Sequence, residues 1–162
     1  MAIGIALILF YLAVVTAVAV PLGRHLAAVY GGTNRRSERV LGWLERGIYR
    51  LLRVDPTSEH TWRAYAGGLL AFNAAGFVVL YLLLRAQGSL PLNPEGLPGV
   101  PPWVAFNAAV SFVTNTNWQA YGGESTMSYL SQMAGLCVQN FVSAAVGMAA
   151  AAALIRGIAR RS

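Results

Sequence analysis

The sequence predicts an all-α integral membrane fold: three transmembrane helices, with a short re-entrant helix and a polar strand between the second and the third. Three observations predict it. The chain of 162 residues is 56% hydrophobic and only 11% charged, far from the balance of a water-soluble domain. Three segments long enough to cross a bilayer carry no charge. A fourth apolar run, too short to cross, is followed at once by the oxygen-rich residues TNTN.

The first element is the charge-free stretch from Ala2 to Val20. At about 1.5 Å of rise per residue it just reaches across a hydrocarbon core of roughly 30 Å, and residues 1–22 are assigned to it. Ala17-Val18-Ala19 resembles a cleavage site, but no basic residue precedes the apolar run, which also exceeds the usual signal-peptide core. Residues 23–63 form a basic loop. Within it, Val40, Leu44, Ile48 and Leu51 recur at helical spacing among arginines, the pattern of an amphipathic helix on a membrane surface or of a dock for a partner subunit. His25 and His60 fall in the same loop, remote from the polar strand.

The second span runs from Tyr65 to Leu84, between Arg63 and Arg85, with Tyr65 and Tyr81 near its ends, where amphipathic rings favour the headgroup level. Five of the seven prolines then fall between Ala86 and Pro102. That density excludes a helix, and Asn93-Pro94 favours a turn. The last helix is expected over 125–157, and residues 64–162 make up one span-loop-span unit. If the chain crosses three times, eleven of its twelve arginines lie on one side. The positive-inside rule makes that side cytoplasmic and the N-terminus external.

The net charge of +6 does not point to nucleic acid, because no soluble scaffold with polar or aromatic readers accompanies it. The one cysteine, Cys137, sits in an apolar run as a small packing residue and cannot build a disulfide framework or a cysteine metal site within the chain. No aspartyl-phosphate motif, P-loop or pair of histidines at metal spacing is present, so the chain carries no ATP site and no catalytic residues of its own.

After Pro101-Pro102, which suit a first helical turn, the run WVAFNAAVSFV is too short to span. It reads as a helix over 102–113 that dips into the membrane and turns back. An extended strand over 114–118 follows. Such a helix aims its negative dipole end at the membrane interior, and the strand can turn successive carbonyls toward one axis, where they replace water around a monovalent cation. Thr114, Asn115, Thr116, Asn117 and Gln119 carry the side chains that would pin that strand, and Gly122-Gly123 would let the chain reverse. The plainer reading is an exposed polar turn.

SFVTNTNWQAYGGE (Ser111 to Glu124), with STMSYLSQMAGLCVQNFVSAA, LPLNPEGLPG and PLGR at Pro21 to Arg24, resembles the start of the KdpA family, the potassium-binding subunits of the bacterial Kdp potassium-transporting ATPase. The likeness covers the whole chain but only the first quarter to third of the family's length. Gly122 stands where serine is commoner. The resemblance implies a transporter built like a potassium channel, with four repeats in one chain and one filter strand from each. On this sequence it assigns the pore helix to 102–113 and makes the backbone carbonyls of Thr114, Asn115, Thr116 and Asn117, with Gln119 just outside, the filter of the first repeat. Potassium is the transported ion. The implied partners are the catalytic ATPase subunit KdpB, with KdpC and KdpF, in a multi-pass protein of the bacterial inner membrane. One strand cannot close a fourfold ring, so a fragment that is inactive alone is expected.

In the last helix Ser128, Gln132, Gln139 and Ser143 share a face at spacings of four, seven and four, with Asn140 adjacent. They either line the ion's route beneath the filter or hydrogen-bond between helices. Three function classes remain on the residues alone: a potassium-transport subunit of a pump, a channel-like uptake protein without an ATPase, and a non-transporting membrane scaffold.

Overall fold

The computed structural model describes residues 2–31, 35–55, 58, 60–116 and 118–159, in two compact units divided between residues 59 and 60. Among the described residues every regular element is helical. Three helices are long and apolar enough to cross a membrane.

The first unit holds α1 (Ala2–Tyr30) and α2 (Arg35–Leu52). At 29 residues, about 43 Å long, α1 runs past the expected boundary at residue 22 and continues through Pro21. Proline removes one ladder hydrogen bond, and the apolar register on both sides carries the helix across it.

In the second unit α3 (Trp62–Ala86) starts at Thr61, whose hydroxyl oxygen accepts the Ala64 N–H at 3.3 Å. It ends in a 3-10 turn, Gln87–Ser89. The proline-rich connection leads to α4 (Pro102–Val113), with proline in its first turn. A single helical turn, α5 (Gly123–Thr126), precedes a break at Met127 and Ser128. The last helix therefore opens at Tyr129, later than residue 125. It is π-helical over Ser131–Cys137 and continues as α6 (Val138–Ala159).

The core lies where α3, α4 and the last helix meet. It is built from Leu80, Leu84, Val100, Ala105, Ala108, Ala109, Phe112, Met127 and Leu136. The three alanines let α4 approach its neighbours closely, and Phe106 meets Phe77 edge to face at 5.4 Å. Helix α3 and the last helix run antiparallel, with Gly76 beside Gln139 and Gly135 beside Leu80 and Leu83. A Cβ on Gly135 would stand 3.0 Å from Leu80 Cδ1. Glycine at that crossing brings the two helices to packing distance, the device that replaces the hydrophobic effect between helices in lipid. Cys137, expected as a packing residue, lies on the exposed side of the helix.

Candidate functional site

Helix α4 has 12 residues, about 18 Å against a hydrocarbon core of roughly 30 Å. It ends in a Schellman motif: the Asn115 N–H donates to the Phe112 carbonyl at 3.3 Å and the Thr116 N–H to the Ser111 carbonyl at 2.9 Å. Asn115 is the residue that turns the chain, with φ of 55°, because asparagine tolerates the left-handed region better than other non-glycine residues. The reversal expected of Gly122-Gly123 is made differently. Gly122 has φ of −88°, Gly123 is helical, and among the described glycines only Gly96 takes a positive φ.

Thr116, Trp118 and Gln119 lie outside helical geometry and are exposed. The Thr114 N–H also turns back, to the Val110 carbonyl at 2.9 Å. The Thr114 hydroxyl donates to the Val110 carbonyl at 2.9 Å, and the Thr114 and Thr116 hydroxyls meet at 2.8 Å. At the far end of the stretch the Ser111 hydroxyl donates to the Trp118 carbonyl at 3.0 Å. Among the described residues no hydrogen bond reaches the carbonyl oxygens of Thr114 and Thr116. The N–H groups of Thr114, Asn115 and Thr116 are thus committed to α4, and the carbonyl oxygens of Thr114 and Thr116 accept no hydrogen bond among the described residues, beside the negative end of a helix dipole. Asn117, the fourth residue of the predicted strand, lies outside the described residues. Gln119 is exposed.

Tyr121 packs against the core behind this segment. Its phenol oxygen is buried without a partner in hydrogen-bonding geometry among the described residues. Burial pushes its pKa up, and the nearby Gln119 side chain opposes that rise.

The polar residues of the last helix do not all face one way. Burial runs through Ser131, Gly135, Gln139 and Ser143 in steps of four. The wide π turns offset the drift that steps of four accumulate in an α-helix. Ser128 and Ser131 converge on Gln87; Gln132 donates to the Met127 carbonyl at 3.0 Å. Gln139 abuts Gly76 beside a cavity of about 70 Å³. The Ser143 hydroxyl donates to the Asn140 carbonyl at 3.1 Å, and the Asn140 side chain is exposed.

Gln87, which no sequence pattern singles out, is fully buried and joins three segments. Its Nε2 donates to the carbonyls of Pro98 and Thr126, each at 2.7 Å. Its Oε1 accepts from the Ser128 N–H at 3.1 Å and the Ser131 hydroxyl at 2.9 Å. Asn93 closes the proline-rich loop through both ends of its amide, to the Leu97 carbonyl at 2.8 Å and from the Leu97 N–H at 2.9 Å. Gly99 seats that loop under α3, where a Cβ would fall 2.3 Å from the Arg85 carbonyl oxygen. The start of α4 is thereby fixed to the end of α3.

Residues 9–162 match the sequence profile of the family described as KdpA, potassium-transporting ATPase A subunit. Curated relatives named potassium-transporting ATPase potassium-binding subunit include that of Sorangium cellulosum, 61% identical over 152 residues, covering 94% of this chain and 26% of the relative. Those of Rhodospirillum centenum and Methylococcus capsulatus are 57% and 56% identical over 159 residues, 98% of this chain and 28% and 27% of theirs. The chain thus spans about a quarter of the length of the curated relatives it matches.

Proposed function

Since this chain belongs to the potassium-transporting ATPase A subunit family, we propose that it supplies one filter strand of a potassium-selective pathway, in which backbone carbonyls of Thr114, Asn115, Thr116 and Asn117 replace the ion's water. The single observation that carries this reading is the division of labour after α4: N–H groups turned back to the helix, and the carbonyl oxygens of Thr114 and Thr116 left without partners among the described residues. Unpaired carbonyl oxygens suit a dehydrated monovalent cation and bind it weakly enough for release. The full pathway needs equivalent strands from further repeats. In that reading α4 is a re-entrant pore helix, and Gln119 stands at the external mouth.

The chain hydrolyses nothing itself and works with a catalytic P-type ATPase subunit, KdpB, together with KdpC and KdpF, in the bacterial inner membrane. Its N-terminus is external, with the basic loop and C-terminal end cytoplasmic. Ser128, Gln132, Gln139 and Ser143 hold the repeat together, since the partners described for them lie inside it. Asn140, the exposed member, is the one placed to meet a wet route.

The test uses the full-length protein in its complex, with Thr116→Ala and Gln119→Ala, measuring potassium-dependent ATPase activity and uptake. Loss of a strand brace worth about 1–1.5 kcal/mol raises the potassium concentration for half-maximal activity roughly tenfold. Unchanged apparent affinity across all substitutions from Thr114 to Gln119 overturns the filter assignment and favours a scaffold.

A further inference from the structure

Helix α2 is not used by the ion site, and its surface is divided by chemistry. At 100° per residue, Leu41, Leu44, Ile48, Leu51 and Leu52 fall within an arc of about 100°, and all are exposed. Arg39, Arg46 and Arg50 fall within an arc of about 40° on the opposite side. Gly42 lets Arg46 lie along the helix, for a Cβ there would sit 3.1 Å from Arg46 Nη1. Trp43, 68% exposed, lies between the two arcs on one side, about 20° from Arg50. Tyr49 lies between them on the other, its hydroxyl donating to Glu45 Oε1 at 2.5 Å.

Short connections tether α2 to α1 and α3, both long and apolar enough to cross a membrane, so it cannot leave the bilayer surface by more than a few residues of chain. An apolar arc, two aromatic flanks and a cationic ridge fit a lipid–water boundary in which rings sit at headgroup level. We propose that α2 lies in the interface of an anionic leaflet, its leucines among the acyl chains and its arginines within a Debye length of the headgroup charge. The occupant of the apolar face is lipid rather than a protein partner, because five exposed aliphatic side chains and an arginine ridge match what an anionic surface offers at once. This inference rests on α1 and α3 crossing the bilayer and is independent of the potassium chemistry.

The test places a nitroxide spin label at Leu44→Cys, Ile48→Cys or Arg46→Cys, each in the Cys137→Ala chain. The chains are reconstituted in bilayers of phosphatidylcholine with or without phosphatidylglycerol. Collisions with oxygen and with a water-soluble nickel chelate are measured. Labels at residues 44 and 48 are expected to favour oxygen and the label at 46 the chelate, with the embedded fraction rising about fivefold on adding the anionic lipid. In Arg39→Gln/Arg46→Gln/Arg50→Gln, labelled at 44 or 48, that rise falls below about twofold. Labels at 44 and 48 open to the chelate, or shielded from both reagents as in a protein contact, overturn the proposal. So does an anionic-lipid effect that survives removal of the arginines.

Discussion

Replacing Gln87 by methionine keeps the side-chain volume and removes all its polar contacts. The side chain is fully buried and makes four hydrogen bonds, to Pro98, Thr126, Ser128 and Ser131. Gln87→Met leaves two carbonyls, one N–H and one hydroxyl to find other partners. Each buried group left unpaired costs about 1–3 kcal/mol, and relaxation toward water offsets part of it, so a loss of about 4 kcal/mol is expected. For a chain of this size that lowers Tm by about 8–16 °C, read by thermal unfolding of the detergent-solubilised chain with tryptophan fluorescence. Ser89→Ala is the control. It removes one exposed bond, from the Ser89 hydroxyl to the Ala86 carbonyl at 2.9 Å, and should cost no more than about 0.5 kcal/mol. A Gln87→Met chain within about 3 °C of the parent would refute the reasoning.

Gly99→Ala should destabilise the chain more than Gly96→Ala. The first sets a methyl 2.3 Å from the Arg85 carbonyl oxygen, whereas the second meets open space and bears only the cost of a positive φ, about 1 kcal/mol; the same thermal assay ranks them. Asn115→Val should cost about 1–2 kcal/mol more than Asn115→Gly, because a β-branched residue tolerates the left-handed φ of 55° poorly and glycine tolerates it freely; equal stabilities would argue against the Schellman geometry. Tyr49 titrates above its ordinary 10.0, chiefly because it hydrogen-bonds to Glu45, then because of burial and the Glu45 charge. The protonated phenol is the donor, so its contribution to α2 is complete below pH 10 and disappears as pH rises through the higher folded value. Absorbance of phenolate in the parent minus Tyr49→Phe should reveal a late-titrating tyrosine; a midpoint at or below 10 would contradict it.

Long charge-free runs made the three spanning helices legible, since a helix is the simplest way to keep backbone groups paired in lipid. The shortness of 102–113 and its leading prolines marked α4. What periodicity could not reveal is where distant segments share one polar group. Gln87 stands at a span end like many solvated glutamines, and only the tertiary approach of Pro98, Thr126 and Ser131 makes it a buried junction. The turn at the end of α4 was hidden too, inside a stretch over 114–118 that reads as extended strand. Asn115 makes that turn, because the helix ends there and its last carbonyls need donors from the next two residues. The broken start of the last helix was hidden for the same reason: the Ser128 N–H is taken by Gln87, a partner 41 residues away that no local pattern announces.

Where the bonds at the end of α4 run bears on the proposed potassium site. Thr114, Asn115 and Thr116 have their N–H groups bonded to α4 within the second unit alone. The turn at Thr114 and Asn115 is therefore set by the helix end, without any ion or neighbouring repeat. A site whose oxygens are held by its own scaffold need not be reorganised by the ion, which is the condition for selecting on oxygen number and field strength. By the same logic, substitutions that loosen the scaffold, at Gln87 or Ser111, should weaken selectivity for potassium over sodium in the full-length complex more than maximal turnover. If they lowered turnover alone and left the ion preference intact, the strand's shape would have to come from its neighbours and not from α4.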